Sequence, residues 1–343
     1  MTTPATARGL PDVDTSVPAI DEGIQGLRGL AILLLVAVHS SRALRGTGEL
    51  DLVAEVNDAF LFVRMPLFAA ISGWVFALRP PGPRGLVAFV RRRARRLLLP
   101  QLAYGLVVLL VGVFPPRLVW PDSWTSVVAV LGQPRAHFWF VQALFLILLL
   151  ALALEAADGL CTPLRWAAVT AVALLAPTLL PADLPRSGRL GGVAFLLGYF
   201  LLGLGLQRFG ERIFTRAVVA PAVVVLLVGV VLQQLVGLGI VELERERGSV
   251  LSLLVGVPAV SLLLRHRAAV RPLAWLGPYS FAIFLYHRDG ITLGLRALQR
   301  AGEPFGAAGS WLLVLGGAVG LPILAHAVLV RSRPTRRLFL GLP

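Results

Sequence analysis

The sequence predicts an all-α protein, a polytopic bundle of about ten transmembrane helices with both termini in the cytoplasm. Three observations carry that reading. Hydrophobic residues make up 57% of the 343 and charged residues only 15%, whereas soluble domains carry about 25% charged side chains. Mean hydropathy is +0.81. The apolar residues gather in long runs separated by short arginine-bearing segments, the pattern of membrane-crossing helices. Polar side chains this scarce cannot coat a water-soluble globule of this size, so a single soluble domain is excluded.

With roughly 17–25 residues needed to cross a ~30 Å hydrocarbon core, helices are expected near 24–43, 59–78, 97–114, 138–154, 166–181, 190–206, 217–238, 249–264, 274–293 and 308–330. Residues 1–22 hold Asp12, Asp14, Asp21, Glu22 and three prolines, with no basic start and no small-residue cleavage site. They read as a disordered cytoplasmic tail and not as a cleaved signal. The first run carries Arg28 and His39, the second Arg64 and Ser72-Gly73, and the third follows an inner loop of five arginines, Arg91-Arg92-Arg93-Ala94-Arg95-Arg96. His137-Phe138-Trp139-Phe140 opens the fourth, His287 lies in the ninth and His326 in the last. The fifth and eighth are the shortest. No repeat, soluble insertion or linker interrupts the series, so 23–331 reads as one transmembrane domain and 332–343 as a cytoplasmic tail.

Charge follows the same architecture. The net charge is +14, and all 32 basic residues are arginine. In a soluble chain this would suggest a nucleic-acid partner. Here the segments on the side of the N-terminus hold nineteen arginines and the opposite loops ten, the latter partly neutralised by acids such as Glu49, Asp58 and Glu244. Positive-inside bias accounts for that asymmetry, places both termini in the cytoplasm and leaves no nucleic-acid partner to invoke. Arg28, Arg64 and Arg288 fall within spans. Cys161 is the only cysteine, so no intrachain disulfide forms.

An ionisable side chain inside a membrane helix is costly and marks a functional position by default. Arg28 and His39 are separated by ten residues, and eleven steps of 100° make three turns plus about 20°, so both project from one face about 16 Å apart along the axis. A snorkelling arginine and a packed histidine are the bland alternative. Arg64 in the second span and His287 in the ninth are expected at the depth of His39, which suggests a shared polar cavity opening outward. His287 also reads as an interfacial residue beside Tyr286, Arg288 and Asp289, and His137 as part of an aromatic belt or a cavity rim. His266 and His326 read as structural. The arginine row can serve topology alone, yet Arg93 and Arg96 form a one-turn pair able to grip phosphate oxygens. No phosphate-binding glycine loop, nucleophilic serine motif or metal-ligand cluster is present, and Ser72-Gly73 fits close helix packing.

These residues resemble the acyltransferase-3 family of integral membrane O-acyltransferases, nearest its fucose 4-O-acetylase-like branch. The resemblance rests on Gly26-Leu27-Arg28-Gly29-Leu30-Ala31 followed by His39, which matches the family's arginine, ten residues, histidine motif. Met65-Pro66-Leu67-Phe68 with Ile71-Ser72-Gly73, Arg93-Ala94-Arg95-Arg96, Phe138-Trp139-Phe140, and Leu276-Gly277-Pro278-Tyr279-Ser280-Phe281 through Leu285-Tyr286-His287 reinforce it. The resemblance implies a multi-pass enzyme of the cell membrane. Its donor would be cytoplasmic acyl-CoA, acetyl-CoA foremost, and its acceptor a hydroxyl of an extracytoplasmic carbohydrate, glycolipid or related molecule. It implies an essential His39, with Arg28, Arg93 and Arg96 holding CoA and no metal.

His39 would act as general base, a role suited to an imidazole that titrates near neutrality, or would carry the acyl group covalently. Arg64 stands where many relatives have histidine, so it is expected to bind an oxyanion or acceptor carboxylate. Only thirteen residues follow the last span, where several relatives carry an esterase-like domain. Transfer is then finished by the membrane domain itself or by a separate extracytoplasmic partner.

The competing class is a transporter or flippase of a polar or anionic substrate, since in-membrane arginine and histidine also mark substrate paths. The sequence shows no inverted-repeat hydropathy and no corresponding pair of broken helices to support it. The arginine asymmetry also predicts a topology. Single cysteines at Arg84 and Glu244, each in a Cys161→Ser background, should label from opposite sides with an impermeant thiol reagent. Same-side labelling would overturn the helix order.

Overall fold

A computed structural model describes residues 21–44, 60–111, 138–179, 188–244, 246–302 and 305–343, and among them the chain is helical with no strand. The helices are α1 (Glu22–Ala43), α2 (Arg64–Leu78), α3 (Leu86–Val111), α4 (Trp139–Ala156), α5 (Pro163–Leu179) and α6 (Gly188–Ile213). They are followed by α7 (Arg216–Gly237), α8 (Val250–His266), α9 (Arg271–Leu276), α10 (Ser280–Arg300), α11 (Ala307–Leu329) and α12 (Arg333–Leu340). Each expected span coincides with a helix. Among the described residues five helices qualify on length and apolarity to cross a membrane, and six if α8 and α9–α10, bent by 100°, count as one broken span. At 15 and 17 residues, α2 and α5 are shorter apolar helices.

Burial separates the core from the lipid-facing periphery. Two-thirds of the apolar stretch of α1 and of α6 lies inside the bundle, against 11% for α7 and 17% for α11. Val224, Leu227 and Val231 of α7 are exposed, which is expected of side chains that face acyl tails and not water. Around α6 pack α2, α4, α5 and α8. Two hydrogen bonds tie this group together, from the Trp166 indole to the Leu201 carbonyl (2.7 Å) and from the Tyr199 hydroxyl to the Ser252 carbonyl (3.1 Å). Around α1 pack α2, α9, α10 and α11.

Three segments differ from the expectation, and each bears on the site. The arginine row at 91–96 is not a loop: it lies in α3, which begins at Leu86. The charges lower its hydropathy, but Phe89 is buried at 4% exposure and gives the segment the apolar side a surface helix needs. The ninth span begins not as one helix but as α9 followed by a 3₁₀ turn, Gly277-Pro278-Tyr279. Proline lacks the amide that an uninterrupted helix would require and restricts the residue before it. The segment expected as a tail from residue 332 contains α12, which packs on α3. Leu340 is buried, and the Tyr286 hydroxyl donates to the Phe339 carbonyl at 2.8 Å. Of the expected tail at 1–22, Asp21 and Glu22 instead cap and open α1, and residues 1–20 lie outside the described residues.

The bend between α8 and α9 is pinned to α1 and α2. Arg267, in the left-handed region at φ 38°, caps α8. Its guanidinium donates to Asp21 at 3.2 Å and lies 4.6 Å above the Trp74 ring. Asp21 in turn caps α1 by accepting from the Ile24 amide at 2.6 Å. Gly29 lets α1 approach the Leu273 carbonyl, where any side chain would clash.

Between α2 and α6 two glycines face backbone in reciprocal fashion. A Cβ on Gly73 would run into the Phe200 carbonyl, and one on Gly203 into that of Ala70. Backbone cannot yield as a flexible side chain can, and overpacking typically costs about 1–3 kcal/mol. Gly203→Val is therefore expected to lower the melting temperature of the purified protein by several degrees. Ser72→Ala, whose hydroxyl bonds only its own helix at the Phe68 carbonyl (2.8 Å), should leave that temperature nearly unchanged.

Candidate functional site

The two ionisable residues of α1 sit on one uninterrupted helix and are both half-buried. His39 meets His287 of α10 with ring centroids 5.2 Å apart and planes inclined at 39°. His287 is fully buried in the middle of α10 and not at an interfacial end. Its Nδ1 lies 3.1 Å from the Ile283 carbonyl and 2.9 Å from that of Phe284. Carbonyl oxygens only accept, so Nδ1 carries the proton and Nε2 is the basic nitrogen of the neutral ring.

Cations surround this pair. Arg64, the first residue of α2, is 4% exposed, and together with Arg42 and Arg288 it lies within electrostatic reach of His39. Two residues beyond His287, Asp289 accepts from the Tyr104 hydroxyl of α3 through both carboxylate oxygens, at 2.9 and 3.0 Å. The Tyr104 ring also meets Tyr286 and Phe138, at 5.5 and 5.7 Å.

A cavity of about 300 Å³ runs between α1, α2, α3, α4 and the start of α10. Among the described residues four arginines line it, Arg28, Arg79, Arg93 and Arg96, and no acidic side chain does. Arg93 and Arg96 act electrostatically on Arg28, so the three converge. The Arg93 guanidinium is held 5.1 Å above the Phe89 ring, a cation–π contact that orients it. Arg93 is half-buried and Arg96 exposed, yet both line the cavity, whereas Arg91, Arg92 and Arg95, also exposed, lie outside the lining. Gly341, in the left-handed region at φ 63°, packs on the Arg96 backbone, where a Cβ would come within 2.6 Å of its carbonyl oxygen. Converging guanidinium groups have the charge and fork geometry that suit phosphate oxygens.

The structure thus brings the candidate residues together in two groups. Arg28, Arg93 and Arg96 share the cavity, while His39, His287 and Arg64 gather at the other level of the bundle. His326 packs against Tyr279 at 5.2 Å, and His266 is exposed at the end of α8. Neither joins the site, and His137 lies outside the described residues. Among the described residues no cluster of three His, Cys, Asp or Glu side chains could hold a metal ion.

Sequence reasoning had counted Arg79 for topology only, although it continues the helical series Phe68, Ser72, Val75, Arg79 that faces the cavity. Asp289 carried a signal as an acid inside an apolar helix. Tyr104 carried none.

Such a bundle is an integral membrane protein whose interior holds an arginine-lined cavity and, at another level, a pair of histidines. The chain belongs to the acyltransferase-3 family: the family's acyltransferase domain matches residues 21–327. It is a membrane acyltransferase. The match identifies the family and not a branch within it. No curated protein and no solved structure matches the chain.

The cavity ranks the arginines of α3. With CoA as the polyphosphate probe, replacing Arg93 and Arg96 by alanine should weaken binding far more than replacing Arg91 and Arg92. Each charge-assisted hydrogen bond lost typically costs about 1.5–3 kcal/mol. Equal losses from both pairs, measured by calorimetry in detergent, would return the row to a topology signal.

Proposed function

We propose that the protein moves an acyl group, acetyl foremost, from cytoplasmic acyl-CoA to a hydroxyl of an extracytoplasmic carbohydrate, glycolipid or related acceptor. The single observation that carries this reading is the cavity that leads from an arginine cluster toward the His39–His287 pair. The arginine asymmetry of the loops supports a cytoplasmic arginine end, and the family match supports acyl transfer over transport. The cell membrane is the corresponding location.

In this reading Arg93, Arg96 and Arg28 hold the phosphates of CoA, with Arg79 beside them. The pantetheine arm follows the α1 face and brings the thioester to the imidazoles. His39 removes the proton of the acceptor hydroxyl, and the oxygen forms its bond to the thioester carbonyl carbon. Arg64 stabilises the negative charge that gathers on the carbonyl oxygen. The carbon–sulfur bond then breaks, the sulfur leaves with its electron pair, and the imidazolium returns the proton to it. His287, its Nδ1 proton fixed on backbone carbonyls, offers Nε2 as the second basic nitrogen of the pair. Transfer by way of an acyl-imidazole on His39 would use the same residues.

Radiolabelled acetyl-CoA, purified protein and a panel of sugar and glycolipid acceptors test the reading directly, because a transporter consumes no acyl-CoA. His39→Ala should lower transfer by about 10²–10⁴-fold, the usual loss on removing a general base. CoA affinity and melting temperature should be retained, since the imidazole meets only the reacting end of the donor. Near-normal turnover per folded molecule would make His39 a packing residue.

A further inference from the structure

We infer that Phe68, Phe140 and Phe284 form the floor of the donor cavity and restrict the enzyme to short acyl groups. The inference rests on the reading of the cavity as the acyl-CoA site and concerns what lies at its deep end.

On each of three helices the lining residue nearest the histidine level is a phenylalanine. Along α2 the cavity face runs from Arg79 through Val75 and Ser72 to Phe68, and Arg64 lies one turn further. Along α10 it runs from Ser280 through Phe281 to Phe284, and His287 lies three residues further. On α4 it ends at Phe140, in the helix's first turn. The three rings touch: Phe140 is 5.9 Å from Phe68 and 5.6 Å from Phe284, and Phe284 is 6.5 Å from the His287 ring. Phe140 and Phe284 are buried at 6% and 4% exposure.

From Arg79 to Phe68 the α2 face spans about 16 Å, at 1.5 Å per residue. At about 300 Å³ the whole cavity sits at the small end of the range for ligand pockets. A donor whose phosphates stay at the arginines therefore fills it before any tail is accommodated. An arm that starts at the arginines and ends at these rings leaves the acyl group on its sulfur lying among them, next to the histidines: the Phe284 ring is 6.5 Å from that of His287. Packed aromatic side chains leave space for a methyl group and resist a chain, because close-packed interiors yield little to added methylenes.

The test is competition of acetyl-CoA and octanoyl-CoA against radiolabelled acetyl-CoA, on full-length protein in detergent, for the wild type, Phe140→Ala and Phe68→Leu. Hydrophobic pockets discriminate a single methylene by about 10–200-fold, so the wild type should prefer acetyl-CoA over octanoyl-CoA by about 10-fold or more. Removing the Phe140 ring should bring the two within about threefold, and the milder Phe68→Leu should narrow the ratio in the same direction. If melting curves show Phe140→Ala unfolded, the ratio in Phe68→Leu decides. Equal affinities in the wild type, or a ratio unchanged by the substitutions, would overturn the floor while leaving the donor site intact. Absence of any acetyl-CoA binding to the wild type would instead overturn the donor reading itself, and the floor with it.

Discussion

A bilayer core has no water to solvate a guanidinium or an imidazole, so the Arg28–His39 face of α1 must be sheathed by protein along its whole length. Much of the bundle follows from meeting that demand. Helices α2, α9, α10 and α11 pack around α1, and each brings what its level requires. At the histidine level α10 supplies His287. At the arginine level the side chains of α3 converge on Arg28 and enclose a cavity. Close approach at Gly29, and at Gly73 and Gly203 between α2 and α6, is the means by which these helices come near enough to cover polar groups.

The broken helix connects the two levels. A straight span from α8 onward could not both cross beside α6 and α7 and return along α1. The left-handed turn at Arg267 and the 3₁₀ turn at Pro278 make that change of direction possible. The same turn puts Pro278, Ser280 and Phe281 into the cavity wall and leaves His287 in mid-helix. The double contact of His287 Nδ1 with the Ile283 and Phe284 carbonyls then fixes both the tautomer and the orientation of the ring. On the opposite flank α12 packs on α3 and holds the backbone of Arg96 through Gly341. Each end of the site is thereby positioned by a segment that hydropathy alone misassigns, a broken helix read as one span and a packed helix read as a tail.

Much of this was legible in the sequence, for identifiable reasons. The all-helical membrane class follows from bulk hydropathy, which needs no knowledge of packing. The shared face of Arg28 and His39 follows from helix periodicity, which is local. The convergence of His287 and Arg64 on the level of His39 could be anticipated because depth along a span is nearly one-dimensional. Lateral neighbours are not: nothing in the chain announces that Tyr104 meets Asp289 or that the rings of Phe68, Phe140 and Phe284 touch. The arginine row was misplaced for a different reason. Five charges in six residues mask an amphipathic helix when the window measures mean hydropathy, although counting the period puts Arg93 and Arg96 on the face of buried Phe89 and Arg91 and Arg95 on the opposite one. The apolar character of α9 likewise hides its short length, because hydropathy is blind to a change of direction.

The polarity gradient of the cavity carries the last step. Like charges crowded at Arg28, Arg79, Arg93 and Arg96 repel one another, and the repulsion grows as the surroundings become less polar. Among the described residues that line the cavity none is acidic, so a ligand carrying several negative charges would relieve the repulsion among Arg28, Arg93 and Arg96. Further along, the wall turns aliphatic and then aromatic on α2 and aromatic on α10, where such a charge would be poorly solvated. In the proposed reaction a donor with a charged head and a slender apolar arm would fit in one orientation, with the head at the arginines and the arm directed toward the histidines. Binding energy collected at one end of the cavity would then fix which atoms are presented at the other, and remote contacts of this kind raise a rate by orienting the reacting group.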